Sequence, residues 1–313
     1  MNPDARRGIG YGLACYFLWG SFPLYFRLLD ESGAMEVLFY RIVFTGVVCL
    51  ALVAARQAWR EMGVVLRNRQ QVLRLGAAAF LIAANWGVYI YAVNSDQVVE
   101  AALGYFLNPL ITVALGVLVL RERLRRAQWA AVLIGLVAGI VLTLDYGHVP
   151  AIALTLAFSF GTYGLLKKQV GGPDGVSALA GLSTENLVLA PFAIIGLVVL
   201  IAGGHGTIGH NPPWQALLLA STGLVTIAPL LLFAAAASRV PLSTMGLLQY
   251  LTPVLQFLCG VLVLDEHMPA SRWAGFGLVW LALVVLTVDS LQAARRQRAD
   301  RLAAAGLAAA AVS

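Results

Sequence analysis

Four polar or small residues recur at helical spacing within one apolar stretch of the sequence. Their spacing of i, i+3, i+7 and i+11 puts them on one face of a helix: Tyr105, Asn108, Thr112 and Gly116. A second stretch carries a matching set 144 residues later: Gln249, Thr252, Gln256 and Gly260. Amides and hydroxyls can bind a solute in a shared cavity, or they can hydrogen-bond one helix to another. Both interpretations fit the pattern.

Two charged residues also interrupt apolar stretches, and they too are 144 residues apart. Arg41 and Glu185 have opposite charges and lie within a few residues of the start of their segments. A charge at membrane depth is costly unless it is paired or faces a wet cavity. The two residues could pair with each other, bind a zwitterionic solute or carry a proton. Each could instead snorkel to the nearer membrane surface.

Aromatic rings and further amides lie in neighbouring apolar stretches: Trp19, Asn85, Trp86, Tyr89 and Tyr163. Such a mixture suits a modest amphipathic organic solute. Trp and Tyr near helix ends more often mark the membrane interface, and we assign Trp129 and Trp273 to that role.

Residue patterns typical of catalysis are missing from the sequence. It contains no H-E-x-x-H motif, no G-x-S-x-G motif, no acidic metal cluster and no P-loop. The four histidines show no metal-ligand spacing, and the three cysteines lie in separate apolar stretches as small hydrophobic residues. We therefore expect no enzymatic activity, no cofactor and no bound metal.

The composition indicates that lipid surrounds most of the chain. Of 313 residues, 60% are apolar and 12% are charged, and the mean hydropathy is +0.83. A soluble domain carries about 25% charged residues, and a soluble chain of this size could not bury so much apolar surface. The net charge of +6 does not indicate nucleic-acid binding, because the basic residues lie between apolar runs.

Ten segments are apolar enough to cross a bilayer, which takes about 20 residues per helix. The run 186–238 is too long for one crossing and has turn-forming residues at 203–206 and 211–213, so it holds two spans. The other eight spans are 8–26, 37–55, 75–95, 101–120, 127–144, 146–166, 241–264 and 273–288. The sequence thus predicts an all-α membrane protein with ten transmembrane helices.

Lys and Arg in the connecting segments predict the orientation. With the N-terminus inside, cytoplasmic segments hold 18 of them and outer loops hold 2, so both termini are predicted to be cytoplasmic. The inner loop 56–74 has apolar residues at helical spacing among five arginines, which fits a helix on the inner leaflet or a solvated loop. The Arg- and Ala-rich cytoplasmic tail, 291–313, is predicted to fray.

The offset of 144 residues is an internal repeat. Between 109–145 and 253–289, 14 of 37 positions are identical, including a Pro, a Glu, a Trp and an Asp in one register. The repeats 1–145 and 146–290 each hold five spans, so the second enters the membrane in the opposite direction. Inverted repeats of this kind are typical of secondary transporters, whose substrate site lies near the midplane between them.

Two repeat-related residue pairs are predicted to be structural. Glu122 and Glu266 each end a span, where the helix dipole disfavours an acid, so we expect a backbone N–H or an Arg to hold each as a latch. Pro109 and Pro253 lie inside spans, where a proline bends a helix. These bends could be hinges or static kinks.

The motif A-L-G-Y-F-L-N-P-L at 102–110, with Glu122 after an apolar run, resembles the EamA repeat of the drug/metabolite transporter superfamily. The segments Y-F-L-W-G at 16–20, Asn85-Trp86, and L-S-T at 242–244 before Gln249-Tyr250 resemble the RarD permeases of that family. The resemblance covers nearly the whole chain. It implies a ten-helix inner-membrane carrier and, by family naming, a role in chloramphenicol resistance.

We therefore predict a secondary carrier that exports small amphipathic metabolites or drugs, coupled to protons. A non-transporting scaffold or receptor is the alternative, and the inverted repeat does not favour it. The expected partners are a small-molecule solute and membrane lipid, without nucleic acid. The predicted solute-binding residues are Trp19, Asn85, Trp86, Tyr89, Tyr105, Asn108, Tyr163, Gln249, Tyr250, Thr252 and Gln256, with Arg41 and Glu185 as a charge pair or proton-coupling residues.

Overall fold

The computed structural model describes residues 3–120, 124–170, 176–208, 212–237, 239, 245 and 248–310. Every regular element within these ranges is helical, as the apolar runs predict. The helices are α1 Pro3–Gly20, α2 Phe22–Arg27, α3 Ala34–Ala55, α4 Trp59–Arg67, α5 Arg69–Asn94, α6 Val98–Leu120, α7 Arg126–Tyr146, α8 Ala151–Val170, α9 Ala178–Ala202, α10 Pro213–Ala237, α11 Leu251–Leu262 and α12 Ala270–Ala310.

Seven helices of the described ranges are long and apolar enough to cross a membrane: α3, α5, α6, α7, α9, α10 and α12. Helices α8 and α11 contain the shorter apolar stretches Ala151–Lys167 and Leu251–Leu262. Helix α1 carries Asp4, Arg6 and Arg7 in its first turns. An all-helical, multi-pass architecture is therefore confirmed, while the number of ten spans stays a prediction.

Three predicted spans have wrong boundaries. In the ninth, 241–264, Gln249 and Tyr250 form a turn and α11 begins only at Leu251. The first span, 8–26, is two helices, because α1 ends at Gly20 and α2 begins at Phe22 with Pro23 in its first turn. A proline lacks an N–H, and its ring collides with the carbonyl four residues earlier, so α1 cannot continue through it. The sixth span begins later than predicted, because α7 runs to Tyr146 and stops at Gly147, whose φ of 68° suits glycine.

Two segments outside the spans are helical. The inner loop 56–74 contains α4, which packs on α5 and α9 and buries Met62 and Val65 against protein. The tail is helical up to Ala310, as the last part of α12, while its predicted fraying stays a prediction. Ala, Leu, Gln and Arg, which dominate this tail, are good helix formers.

The two repeat-related prolines occupy different positions in their helices. Pro109 lies inside α6, where it can bend the helix. Pro253 lies in the first turn of α11, where an N–H would have no intrahelical partner. The bend predicted at Pro253 is therefore not required by the structure.

The helices pack in a pattern that occurs twice. Helix α8 packs on α5 and α6, and α1 packs on α10 and α11. The offset of 144 residues relates α8 to α1, α5 to α10 and α6 to α11. The two halves thus make equivalent contacts, each with a helix of the other half.

Helices α7 and α12 pack side by side and run antiparallel. At one end, Arg125, which precedes α7, forms an ion pair with Asp289 at the end of the apolar part of α12. At the other end, Arg272 in the first turn of α12 pairs with Asp145 near the end of α7, with 3.0 Å between Nε and Oδ2. Each pair joins the start of one helix to the end of the other, so the two helices point in opposite directions.

One end of the bundle is closed by buried apolar side chains and by carboxylates that hold backbone N–H groups. The fully buried members of this cluster include Leu29, Val37, Val98 and Leu219. Glu36, at the start of α3, accepts a hydrogen bond of 2.9 Å from Thr207 N, which follows α9. We call this region the sealed end.

Glu266 also belongs to the sealed end. It lies between α11 and α12 and accepts hydrogen bonds from Val98 N at 2.5 Å and Val99 N at 2.9 Å, in the first turn of α6. These donors have no partner within their own helix. The latch predicted at Glu266 is therefore confirmed, with backbone N–H groups as its partners. Its repeat counterpart, Glu122, lies outside the described residues.

Candidate functional site

A cavity of about 550 Å³ lies between the helices of the two halves. A volume of this size is typical of sites for small organic ligands. Arg41 and all eleven predicted solute-binding residues line it: Trp19, Asn85, Trp86, Tyr89, Tyr105, Asn108, Tyr163, Gln249, Tyr250, Thr252 and Gln256. Glu185 is buried just behind the wall. The structure therefore brings the predicted residues to one place.

Arg41 extends from α3 into the cavity. The residue is 3% exposed, and Nε donates a hydrogen bond of 2.9 Å to Thr226 Oγ1 on α10. The guanidinium carbon lies 4.1 Å from the ring centroid of Trp86 and 5.3 Å from that of Phe26. Because the head group is buried among aromatic rings, Arg41 does not snorkel to the membrane surface.

Glu185 on α9 pairs with Lys167 on α8, with 2.6 Å between Oε1 and Nζ. Tyr163 donates a longer hydrogen bond of 3.4 Å to the second carboxylate oxygen. Lys167 and Tyr163 both line the cavity, so they connect the buried carboxylate to it. Arg41 and Glu185 therefore do not pair with each other, because each has a partner on a different helix.

Asn85 is held by groups on two neighbouring helices. Its Nδ2 donates to Leu156 O and Ser159 Oγ on α8, both at 3.0 Å. Its Oδ1 accepts from the Tyr105 hydroxyl on α6, also at 3.0 Å. Both polar atoms of the amide thus have protein partners, and Asn85 with Tyr105 joins α5, α6 and α8 at the cavity wall.

The two sets of polar residues that the sequence places at helical spacing, 105–116 and 249–260, are called the polar stripes here. Their members on α6 and α11 serve two purposes. Thr252 Oγ1 donates to Tyr16 O at 3.0 Å and Gln256 Nε2 donates to Trp19 O at 3.2 Å, so both residues tie α11 to α1. Gln256 Oε1 and Asn108 Oδ1 have no hydrogen-bond partner among the described residues. The orientation of the Gln256 amide is fixed, because a carbonyl can only accept. Its Oε1 is thus a buried acceptor on a residue that lines the cavity.

Repeat-related aromatic pairs from the two halves line the cavity. Tyr16 and Trp19 on α1 have ring centroids 5.7 Å apart. Phe160 and Tyr163, at the equivalent positions of α8, have centroids 6.0 Å apart. The cavity therefore combines apolar faces with a small number of polar atoms, as sites for amphipathic ligands do.

Three of the wall residues with exposed side chains lie at the end of the bundle opposite the sealed end: Arg56, Ala178 and Gln249. Helix α3 begins at the sealed end with Glu36 in its first turn, and Arg56 directly follows its last residue. Val65 of α4 and Ala180 of α9 belong to one apolar cluster, which joins the helices at this end. We call it the open end.

The polar wall residues outside the predicted set include Lys167 and Thr226. Lys167 lies beside Lys168 at the end of a span, and counting loop charges assigns it to the cytoplasm. Its position four residues after Tyr163, on the same helix face, could have indicated the cavity. Thr226 is one hydroxyl within an apolar helix and has no such signal. Conversely, Thr112 of the predicted stripe is exposed and donates to Asn108 O of its own helix.

Comparison with known proteins gives three findings. The EamA-like transporter family matches residues 6–144 and again 150–288. Protein RarD of Streptomyces exfoliatus is 51% identical over 96% of this chain and 95% of its own length, and an uncharacterized transporter of Pseudomonas aeruginosa is 40% identical over 94% and 97%. One crystal structure has a TM-score of 0.55 and 21% identity over 90% of this chain and 97% of its own, which concerns the fold alone.

Proposed function

This chain belongs to the EamA-like transporter family, in its RarD-type branch, and we propose that it is a secondary active exporter of small amphipathic metabolites or drugs. It is a multi-pass protein of the bacterial inner membrane. In the proposed mechanism of alternating access, one central site faces the two sides of the membrane in turn.

The observation that carries this proposal is the cavity built by both halves. Trp86 and Asn108 come from the first half, and Tyr163 and Gln256 come from the second. Aromatic faces with few polar atoms suit a solute that has one apolar and one polar part. A scaffold has no need of a central cavity that two repeats build together, and a receptor has no need of alternating access.

We propose that 1–145 and 146–290 are inverted five-span repeats, followed by the cytoplasmic tail 291–313. The repeated packing of α8 on α5 and α6, and of α1 on α10 and α11, supports this division. The antiparallel course of α7 and α12 supports the inversion, because a twofold axis in the membrane plane reverses the direction of equivalent helices.

Cytoplasmic termini imply that the open end faces the cytoplasm. Arg56 and Lys167 lie at the open end, and their loops are among those that the positive-inside rule assigns to that side. The described conformation is then the one in which an exporter loads its solute. A reporter fused after Ser313 that is active only in the periplasm would contradict this orientation.

We further propose that protons drive export and that Glu185 carries them. Arg41 stays protonated, so it cannot exchange a proton, whereas a carboxylate can. Protonation of Glu185 removes its attraction for Lys167 and changes the charge at the cavity wall. Glu185→Gln, which keeps the size of the side chain, is expected to abolish the stimulation of export by an imposed pH gradient.

Metabolite profiling of an overexpressing strain tests the proposed function. We expect amphipathic metabolites to accumulate in the medium and to fall in the cells with the wild type, and less so with Gln256→Leu. Trp129→Leu, on an exposed face of α7, is the matched control. The RarD resemblance makes chloramphenicol the first drug to test, and increased resistance is the expected result. Unchanged profiles in both medium and cells would favour a scaffold or receptor.

A further inference from the structure

We infer that Arg41 binds a carboxylate of the transported solute, so that the solute is an amphipathic organic acid or zwitterion. This assignment rests on the proposed function, because it gives a substrate class to the same cavity. It goes further by naming the charge of the solute and the residue that recognises this charge.

The guanidinium of Arg41 is a buried charge without a counter-charge. Its Nε is bonded to Thr226, but Nη1 is buried and has no hydrogen-bond partner among the described residues. No ion pair joins Arg41 to any Asp or Glu in the described part of the chain. An arginine stays protonated in a protein, and a buried charge without a partner is strongly destabilising. A solute anion would supply that partner.

The other charges of the cavity also favour an anion. Lys167 and Arg56 line the wall together with Arg41, whereas none of the described wall residues is acidic. Glu185, the nearest carboxylate, is already paired with Lys167. An organic cation would therefore meet net repulsion in this cavity, and an organic anion would meet attraction.

The aromatic residues around Arg41 are compatible with a carboxylate at the N–H edge of the guanidinium. Trp86 and Phe26 lie 4.1 Å and 5.3 Å from it, at distances typical of cation–π contacts. A guanidinium stacks on aromatic rings by its flat face, and its N–H groups lie at its edge. A carboxylate binds this edge, through parallel N–H···O bonds.

A second feature of the solute follows from the free acceptors of the wall. Gln256 Oε1 and Asn108 Oδ1 have no partners among the described residues, and buried acceptors gain from meeting an N–H or O–H. The inferred solute thus has a carboxylate, at least one hydrogen-bond donor and an apolar body for the aromatic walls.

N-benzoylglycine and N-benzoylglycinamide are matched probes for this inference. They share the ring and the amide N–H and differ in a carboxylate against a neutral amide. Calorimetric titration of the purified full-length protein should show about tenfold tighter binding of the carboxylate. Arg41→Gln should remove this preference and Arg41→Lys should keep part of it. Arg60→Gln, which neutralises an exposed arginine of α4 outside the cavity, should keep all of it.

Three results would overturn the inference. They are equal affinity for the two probes, no binding of either probe up to about 10 mM, and a preference that survives in Arg41→Gln. The first two results need no variant, so they can overturn the inference even if Arg41→Gln does not fold. Uptake of the same probes into proteoliposomes separates the two proposals. Preferential binding without transport contradicts the exporter, and transport without preference contradicts only the role of Arg41.

Discussion

Lys167 Nζ lies 2.6 Å from Glu185 Oε1, and the carboxylate side chain is only 2% exposed. Removing one partner of a buried ion pair costs about 3–5 kcal/mol, whereas replacing both partners with apolar residues can be neutral. Lys167 is 30% exposed, so the lower figure is expected. Lys167→Leu should therefore lower the melting temperature of the purified protein more than Lys167→Leu combined with Glu185→Leu.

The double variant provides the decisive comparison for this pair. If its loss of stability equals the sum of the two single losses, the residues act independently and the ion pair contributes nothing. Glu61→Gln, which changes an exposed carboxylate of α4, is the control and should leave the melting temperature unchanged.

The free acceptors of the two stripes are expected to act on affinity more than on stability. A hydrogen bond between transmembrane helices is worth about 0.6 kcal/mol on average and at most about 1.7 kcal/mol. Asn108→Leu and Gln256→Leu should thus leave the melting temperature nearly unchanged. Each should weaken binding of the exported solute about tenfold, or about 1.4 kcal/mol.

Stability and affinity should be measured on the same preparations of these variants, with Trp129→Leu as the control for affinity. If stability collapses while the affinity of the folded fraction is unchanged, the stripes only join helices. The solute site would then lie around Trp19, Trp86 and Tyr163.

Gly104 permits the close approach of α6 to α8. A Cβ at this position would lie 2.7 Å from Ala153 O and 2.8 Å from Leu156 Cβ. Overpacking of this kind costs about 1–3 kcal/mol, so Gly104→Ala should lower the melting temperature. Gly139→Ala is the matched control, because its Cβ meets no atom within 4 Å and Ala is favoured over Gly in a helix by about 1 kcal/mol. Equal stability of the two variants would show that α6 and α8 can shift enough to accommodate the added methyl group.

Glu266 is expected to make stability depend on pH. Burial raises the pKa of its carboxyl, and the bonds from Val99 N and Val98 N oppose this rise without cancelling it. The folded-state pKa is thus above the unfolded one, and the folded chain binds more protons between the two values. This contribution to stability is present at low pH and is lost as the pH rises through the folded-state pKa.

Glu266→Gln removes the titrating group and keeps an acceptor for the first turn of α6. Melting temperatures measured from about pH 4 upward should therefore fall less with rising pH in the variant than in the wild type. Identical slopes in both proteins would mean that the Glu266 carboxyl does not titrate differently on folding.

The sequence predicts which side chains share the cavity, because helical spacing and the offset of 144 residues are both visible in the order of the residues. It does not predict their partners. Glu185 pairs with Lys167 instead of Arg41, and Arg41 bonds to Thr226, because partners depend on how the helices are rotated and shifted against each other. The hydropathy pattern also predicts one helix over 8–26, although the steric effect of Pro23 divides this segment into α1 and α2.

The central claim is that one cavity is reached from either side in turn, and accessibility of two introduced thiols tests it directly. In a background with the native cysteines replaced by Ala, Leu182→Cys lies on the cavity wall toward the open end, and Ala101→Cys lies in the buried cluster of the sealed end. The measurement is the rate at which a membrane-impermeant maleimide labels position 101 from outside, before and after a bulky maleimide has reacted at 182 from inside. We predict that position 101 is labelled from outside and that prior labelling at 182 slows this reaction severalfold, because a cavity held open at one end cannot open at the other. If position 101 never reacts, or reacts at the same rate after 182 is blocked, the protein does not work by alternating access.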